Sequence, residues 1–509
     1  MIPNWILNNN EPFKNPEYEN SFFKYLVAQK RALLISFTAA VTLFAVLKFC
    51  FPIPDFFVDS YTYVADALYE RPLNYRPIGY ADFLSLTHII SSNANFTVLI
   101  QYILFFTSTL FCFFSTDYLY GFPKKIRSVV FYLVILNPIL ILQTNLISSD
   151  SLFCSLTVTW FTLCLWIIRT NNLPVIIMQV IFLLMCFHIR YVAAFYPIVA
   201  IAAFLFSGRK LFYKTIGIIL SLGIIYSYVE RQKELTESKT HVRIFSGFSG
   251  WQIANNVLCY YKEITVDSEK LPTEETKIID RIVKKKIDNV YEPSYVGTKY
   301  IWDKDSPLKF YLSVRVQHTN YNYFDEWLWS SIQLSDYGWS IIRQHPYAYI
   351  RYFMAPNFKN YLLPDREILV NYNNDDPPLP AETKLWFDFQ FDHLFCRFEN
   401  LQKDIIYFYP VLSCLLNLAN ILIIIVSLPW SIKTWRTSNK GSGKIFFFWC
   451  FFYFGYMLFC LFSTVVLLRY LDLLFVIGII MPFILLKQIK RPAKQAIDAS
   501  ATNDPANVE

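Results

Sequence analysis

Long apolar runs are the feature that most constrains this chain. Stretches of roughly 15 to 25 nearly uncharged residues recur along its 509 residues, and a helix of about 20 residues crosses some 30 Å of hydrocarbon with every backbone amide bonded internally. Hydrophobic residues make up 55% of the chain and charged residues 17%, which excludes an ordinary soluble domain. The sequence therefore predicts an all-α, multi-spanning membrane protein. About ten runs qualify by length: residues 32–51, 96–116, 128–147, 151–168, 174–188, 192–206, 215–229, 405–429, 445–467 and 470–486.

Basic residues predict the orientation, because short loops rich in Lys and Arg stay in the cytoplasm. With one crossing counted per run, every basic cluster falls on the cytoplasmic side together with both termini. These loops also account for the net charge of +7, so no nucleic-acid partner is expected. The clusters contain Lys24, Lys30, Arg31, Lys124, Lys125, Arg127, Arg169, Arg209, Lys210, Lys214, Lys433, Arg436, Lys440, Lys444, Lys487, Lys490 and Arg491.

The predicted organisation follows from this count. We expect a cytoplasmic N-terminus over residues 1–31, spans 1–7 over 32–229 with a first outer loop at 52–95, an extracytoplasmic domain over 230–404, spans 8–10 over 405–486 and a cytoplasmic tail over 487–509. The first apolar run follows about 30 polar or mixed residues without a small-residue cleavage site, so we expect it to remain as an anchor.

Two of the runs, 174–188 and 192–206, are short for separate crossings. One long tilted helix is the alternative, but it would move the large polar domain to the cytoplasm, against the orientation that the other loops predict. We therefore expect a tight hairpin whose tip, around Arg190, lies at the outer membrane boundary.

The segment 230–404 contains aromatic residues throughout and amphipathic stretches, so we expect it to fold as a mixed, mainly helical domain. Among the ten cysteines only Cys259 and Cys396 fall in it, and they could pair in an oxidising compartment. No cysteine or histidine spacing predicts a metal site, and the sequence leaves a need for a divalent metal open. Many Lys, Asn, Ile, Tyr and Phe residues with few Gly indicate an AT-rich bacterial genome, and so a bacterial inner membrane.

Charged and aromatic residues at the predicted outer ends of the runs are the candidate site. The most specific pattern is an aspartate just after the first run, followed by the segment Arg76-Pro77-Ile78-Gly79-Tyr80 in the first outer loop. The other candidates stand at the start of the fourth run, at the hairpin tip and before the last run. The full set is Asp59, Tyr61, Arg76, Tyr80, Asp150, Arg190, Arg469 and Tyr470.

This pattern resembles the C-type glycosyltransferases (the GT-C fold), membrane enzymes that take a sugar from a polyprenyl-phosphate carrier, such as the protein O-mannosyltransferases and the lipid A aminoarabinose transferase. The resemblance is strongest over residues 55–200 and weak over the large outer domain. It implies that Asp59 stands at the position of the catalytic aspartate. It also implies a polyprenyl-phosphate-linked sugar as the donor substrate.

The chemistry of sugar transfer requires the same kinds of side chain. Transfer of a sugar from a lipid phosphate needs a carboxylate to take the acceptor's proton and fixed positive charge to hold the departing phosphate. We therefore expect Asp59 and Asp150 to be catalytic, and the other six candidates to bind substrate. The expected function is an inverting glycosyltransferase that acts on an extracytoplasmic lipid, glycan or protein acceptor, in contact with membrane lipids.

Simpler interpretations stay open at this stage. Asp59 and Asp150 could cap helices, Arg76 could anchor to headgroups, and Arg469 could pair with Asp472 three residues along the same helix. Two other functions also compete: a polymerase or ligase of lipid-linked glycans, which shares the substrate type, and a transporter or flippase. Transporters usually place polar groups at the midplane between two related halves, and the sequence has no such halves.

Overall fold

The computed structural model describes residues 21–487, apart from 171, 294, 376 and 437–439. That part of the chain is helical, with two isolated bridges and no β-strand. This confirms an all-α membrane protein. Most of the predicted cytoplasmic ends, 1–31 and 487–509, lies outside the described residues. Eight helices among these residues are long and apolar enough to cross a membrane: Lys30–Cys50, Ala94–Leu119, Lys125–Thr144, Ser149–Arg169, Leu211–Thr240, Asn400–Trp435, Gly443–Ser463 and Leu468–Lys487.

The two remaining apolar helices, Leu173–Ile189 and Tyr191–Phe206, are shorter, so a count of ten crossings stays a prediction. They nevertheless form a hairpin. Between them Arg190 is extended, with φ −149° and ψ 130°, and a guanidinium nitrogen of Arg209 donates to the carbonyl of Asn172 over 3.3 Å. Because that bond joins the two open ends of the hairpin, the chain reverses at Arg190 and no single long helix forms.

Shorter helices connect and cover these spans. Pro138 begins a second helical segment inside the third span, because proline cannot donate the backbone bond that would continue the first one. In the last span a 3₁₀ segment, Leu468–Phe475, precedes the α-helical residues 477–487. The helices outside the spans are Phe22–Ala28, Val58–Leu68, Gly79–His88, Ser249–Leu258, Glu274–Lys286, Lys299–Trp302, Pro307–His318, Tyr323–Gln344, Pro346–Tyr349, Ala355–Leu362 and Ala381–Phe387.

The span Ser149–Arg169 lies at the centre of the bundle. Nearly all of it is buried, whereas Lys30–Cys50 and Leu211–Thr240 leave most of their apolar surface uncovered by protein. A helix that is apolar all round is suited to such a central place, and exposed apolar helices are suited to contact with lipid. The first turn of this central helix, which contains Asp150, is therefore surrounded by other elements.

The segment 230–404 is divided between two packing units. Residues 251–353 share a hydrophobic core of their own. Downstream residues such as Tyr361, Trp386 and Phe387 instead belong to the core of the membrane helices. Cys259 lies in the first unit and Cys396 packs against the second, and no disulfide joins them, so the pairing considered from the sequence is absent.

Candidate functional site: an arginine–carboxylate cluster

Two isolated backbone bridges bring the site segments together. In the first, Asp55 N–H donates to the carbonyl of Asn145 over 2.9 Å, and Ile147 N–H donates to the carbonyl of Asp55 over 3.0 Å. The two chains run parallel there. Asp59 and Asp150 each follow the bridge by four residues, and each lies in the first turn of a helix.

The second bridge joins Asp365 to Leu467, with the N–H of Leu468 donating to the carbonyl of Asp365 over 2.9 Å. These chains also run parallel. Glu367 and Arg469 each follow the bridge by two residues, and their side chains meet at 3.4 Å between Oε2 and Nε. Backbone pairing thus delivers a carboxylate and a guanidinium from segments about a hundred residues apart.

Six charged side chains form what we call the arginine–carboxylate cluster: Asp59, Arg76, Asp150, Arg190, Glu367 and Arg469. Arg469 is its centre, because Nη1 lies 3.5 Å from an oxygen of Asp59 and 3.5 Å from an oxygen of Asp150. Arg76 Nη1 lies 2.5 Å from Asp59 Oδ1, and Arg190 pairs with Asp150. Three guanidinium groups and three carboxylates therefore share one site at one end of the bundle.

The carboxylates differ in their access to solvent. The side chain of Asp150 is 1% exposed, that of Asp59 17% and that of Glu367 40%. Asp150 also contacts the Ser148 hydroxyl, so its oxygens are occupied by Ser148, Arg190 and Arg469. Asp59 and Glu367 are the carboxylates that an entering substrate can reach.

Neither aspartate is a helix cap. Ser148 caps the fourth span, its hydroxyl accepting from the backbone N–H of Asp150. The helix Val58–Leu68 begins after Phe57, and Ser60 bonds the backbone of that residue. The capping interpretation is therefore wrong for both aspartates, although the first turn of a helix favours a negative charge.

Electrostatics at the accessible side of the cluster follow from burial and close pairing. Burial opposes the charged form of Arg76, but the Asp59 carboxylate outweighs it and the pKa of the guanidinium is raised. Burial, opposed by Arg469 and reinforced by Asp59 and Asp150, raises the pKa of Glu367. Glu367 also adopts a left-handed backbone, φ 44°, which is uncommon for a residue other than glycine.

Two guanidinium nitrogens of the cluster contact carboxylates in poor hydrogen-bond geometry. Arg76 Nη1 and Arg469 Nε are buried and ion-paired, yet neither forms a hydrogen bond of normal geometry with a described residue. Arg190 and Arg469 both lie over the ring of Tyr470, at 5.3 and 5.1 Å from its centroid. Aromatic rings and carboxylates already order these guanidinium groups. They can therefore bind an incoming anion with little further loss of side-chain entropy.

Tyr61 and Tyr80 do not join the cluster. The Tyr61 hydroxyl donates to Asn373 over 3.2 Å. Tyr80 is fully buried and its hydroxyl donates to Gln101 over 2.6 Å. The pattern Arg-Pro-x-Gly-Tyr therefore contains one cluster residue, Arg76, and one packing residue, Tyr80.

Gly79 in the same segment has a packing reason. A Cβ at this position would lie 2.4 Å from the backbone carbonyl oxygen of His188. Glycine thus lets the helix Gly79–His88 approach the hairpin tip that carries Arg190.

Asp472, considered from the sequence as a partner of Arg469, is bonded elsewhere. It accepts from the amide of Gln143 over 2.6 Å, and no ion pair joins it to Arg469 in the described chain. Glu367 is not predicted from the sequence, because a single glutamate in a polar loop has no local feature that marks it as a site residue.

Across the described ranges, no group of three or more His, Cys, Asp and Glu side chains is suited to hold a metal ion. Comparison with known proteins adds no relative: no family model matches the chain, and no match is found among curated proteins or solved structures.

Proposed function

We propose that this protein is a membrane glycosyltransferase of the C type, which moves a sugar from a polyprenyl-phosphate carrier to an extracytoplasmic acceptor. The observation that carries the proposal is the contact of Arg469 with both Asp59 and Asp150. The residues that resemble the family's motifs come from four separate parts of the chain, and they meet in one cluster. Buried ion pairs seldom add net stability, so a gain in stability does not explain three arginines in one site.

In the proposed reaction an acceptor hydroxyl or amine attacks the anomeric carbon of the donor. The new bond to the acceptor forms while the bond between the anomeric carbon and the phosphate oxygen breaks, and the electron pair leaves with the polyprenyl phosphate. The acceptor's proton passes to Asp59, the accessible carboxylate nearest the arginines. A single displacement inverts the configuration at the anomeric carbon, through a transition state with oxocarbenium character.

Arg76, Arg190 and Arg469 bind the phosphate in this mechanism. The charge that develops on the leaving oxygen is stabilised most by donors already fixed in a water-poor site. Binding of the phosphate draws Arg76 and Arg469 away from Asp59, so the carboxylate gains basicity at the moment when it is needed. Asp150 orients Arg190 and Arg469 from beneath.

Location completes the proposal. The end of the bundle that holds the arginine–carboxylate cluster faces outward from a bacterial inner membrane, and both termini lie in the cytoplasm. The positive-inside pattern of the loops supports this orientation.

The test is Asp59→Asn in purified, detergent-solubilised protein supplied with polyprenyl-phosphate sugars and envelope acceptors. Loss of a general base should lower transfer by a factor of about a hundred or more. Asp336 is an exposed aspartate in the unit formed by residues 251–353, so Asp336→Asn is the matched control and should retain normal turnover. Normal transfer by folded Asp59→Asn would refute the assignment. Transfer of whole glycan chains in place of single sugars would indicate a polymerase or ligase.

A further inference from the structure

An exposed aromatic surface adjoins the arginine–carboxylate cluster. It consists of Trp302, Tyr323 and Lys309, and we call it the Trp302 surface. The Trp302 ring is 6.0 Å from the guanidinium carbon of Arg76, which itself pairs with Asp59. One side chain therefore separates this surface from the proposed reacting carboxylate.

The rings of this surface are held rigidly from below. Trp251 and Trp327 are buried and stacked at 4.0 Å between centroids. Their indole N–H groups donate to backbone carbonyls of Trp327 and Gly247 over 3.1 and 3.0 Å. Trp302 stacks on Trp327 at 6.1 Å, so its orientation is set by residues whose own polar atoms are satisfied.

The outer rings differ from this buried layer. Trp302 is 43% exposed and Tyr323 52% exposed. No described residue accepts a hydrogen bond from the indole N–H of Trp302. Two large rings with an available N–H, placed at the edge of a rigid stack, are typical of a binding surface, because they lose little side-chain freedom on contact.

Lys309 adds a charge without a carboxylate partner. Its ammonium donates to the Tyr323 hydroxyl over 3.0 Å and lies 4.5 Å from the centroid of the Trp327 ring and 5.7 Å from that of Trp302. No ion pair of Lys309 occurs within the described part of the chain. Partial burial lowers the pKa of this ammonium, and an anion beside it would relieve that cost.

We infer that the Trp302 surface binds the acceptor, and that the acceptor is a saccharide with a negatively charged group. The apolar C–H face of a sugar ring packs on the aromatic rings, as polarised C–H groups favour the negative face of a π system. Its carboxylate or phosphate accepts from Lys309, and a ring hydroxyl accepts from the Trp302 N–H. The term acceptor rests on the proposed function, whereas the binding does not.

The experiment measures saccharide binding to the full-length protein without any donor. The probes are hexagalacturonate, a hyaluronan hexasaccharide and neutral maltohexaose, followed by saturation-transfer NMR and thermophoresis. We expect the acidic probes to bind more tightly than maltohexaose. Trp302→Ala should weaken their binding about tenfold, the size expected for loss of one aromatic stacking contact. Lys309→Met should abolish the preference for acidic probes.

Matched controls come from the unit formed by residues 251–353, which also contains Trp302 and Lys309. Trp339→Ala removes another partly exposed tryptophan, one that packs on Phe462, and Lys286→Met removes another lysine that lies on an aromatic ring. Both should bind as the unaltered protein does. Trp302→Phe retains a ring, so it should keep the melting temperature and part of the affinity.

The outcomes separate this inference from the proposed function. Saccharide binding that depends on Trp302 in a protein without transfer activity supports the Trp302 surface as a saccharide site, but the saccharide is then not an acceptor. Unchanged binding in Trp302→Ala and Lys309→Met overturns the inference, even if Asp59→Asn abolishes transfer. Variants that bind saccharides normally but insert poorly into vesicles would make the rings a membrane-interface anchor, and that also overturns it.

Discussion

Arg469 Nη1 lies 3.5 Å from the carboxylate of Asp150, although 319 residues separate the two in the chain. The same guanidinium contacts Asp59 and Glu367. An arginine that serves three carboxylates holds them in one place, and its removal leaves like charges facing one another. Replacement of Arg469 is therefore the most direct test of the site.

Replacement of Arg469 should act on donor use. We expect Arg469→Ala to lower kcat/KM for the polyprenyl donor by about a hundredfold to a thousandfold, as loss of one preorganised donor to a leaving group does. Arg469→Lys should keep part of the activity, because it supplies charge without the fork.

The matched control for Arg469 is Asp472→Ala. Asp472 lies on the same segment as Arg469, but its carboxylate is bonded to Gln143. It should leave the donor KM unchanged. Donor titrations on the three variants, with melting temperatures measured alongside, give the comparison. Equal kinetic losses for Arg469→Ala and Asp472→Ala would mean that the segment needs its charges only to fold.

Gly79→Ala tests the contact between the helix Gly79–His88 and the hairpin tip. The added Cβ would lie 2.4 Å from a backbone oxygen of His188, which cannot rotate away. Overpacking of this kind costs about 1–3 kcal/mol, so we expect a melting temperature lower by a few degrees. Transfer should also fall, because the tip carries Arg190.

Gly223→Ala is the control for this steric argument. Gly223 lies in the helix Leu211–Thr240, and a Cβ there meets nothing within 4 Å. Alanine also favours the helix, so this variant should be as stable as the unaltered protein or slightly more stable. A Gly79→Ala protein that melts with the control would show that the helix and the tip are not in close contact.

Asp66 should make stability depend on pH. Burial raises its pKa from 3.8 to about 6, against the opposing effects of Asn74 and Arg71. The folded state therefore holds the proton longer than the unfolded state, and stability falls as the pH rises from 3.8 to about 6. Asp66→Asn lacks this loss, so its advantage should grow over that range to about 1–3 kcal/mol and stay constant above it.

Thermal unfolding in detergent between pH 4 and 8 measures this difference. Asp336→Asn is again the control, since its exposed carboxylate makes no hydrogen bond or ion pair with the described residues. An Asp66→Asn curve parallel to that of the unaltered protein at every pH would contradict the prediction.

Orientation can be checked with introduced cysteines. Glu269, in the unit formed by residues 251–353, has a side chain 87% exposed, whereas its neighbour Ser268 bonds the buried Asp280. Glu269→Cys should react with an impermeant maleimide in intact spheroplasts. Lys210→Cys, in the loop at the other end of the bundle, should react only after lysis, and the unaltered protein corrects for native cysteines. The reverse pattern would turn the cluster toward the cytoplasm.

The sequence by itself determined the membrane class and the end of the bundle at which the charges gather. Hydropathy is read locally, and each crossing reverses the chain, so residues that follow odd-numbered runs share one end. Asp59, Arg190 and Arg469 satisfy that rule, and Asp150, which stands just before the fourth run, satisfies it as well. A shared end follows from that predicted count, whereas contact between these side chains does not.

The tertiary structure alone decided the partners within the site. Glu367 reaches Arg469 through the backbone bridge between Asp365 and Leu467, and no local pattern in a loop encodes a pairing with a segment so distant in sequence. Tyr80 is predicted beside Arg76 but turns into the core, where Gln101 satisfies its hydroxyl. Which side chain faces a site depends on helix rotation, and rotation is set by packing over the whole bundle.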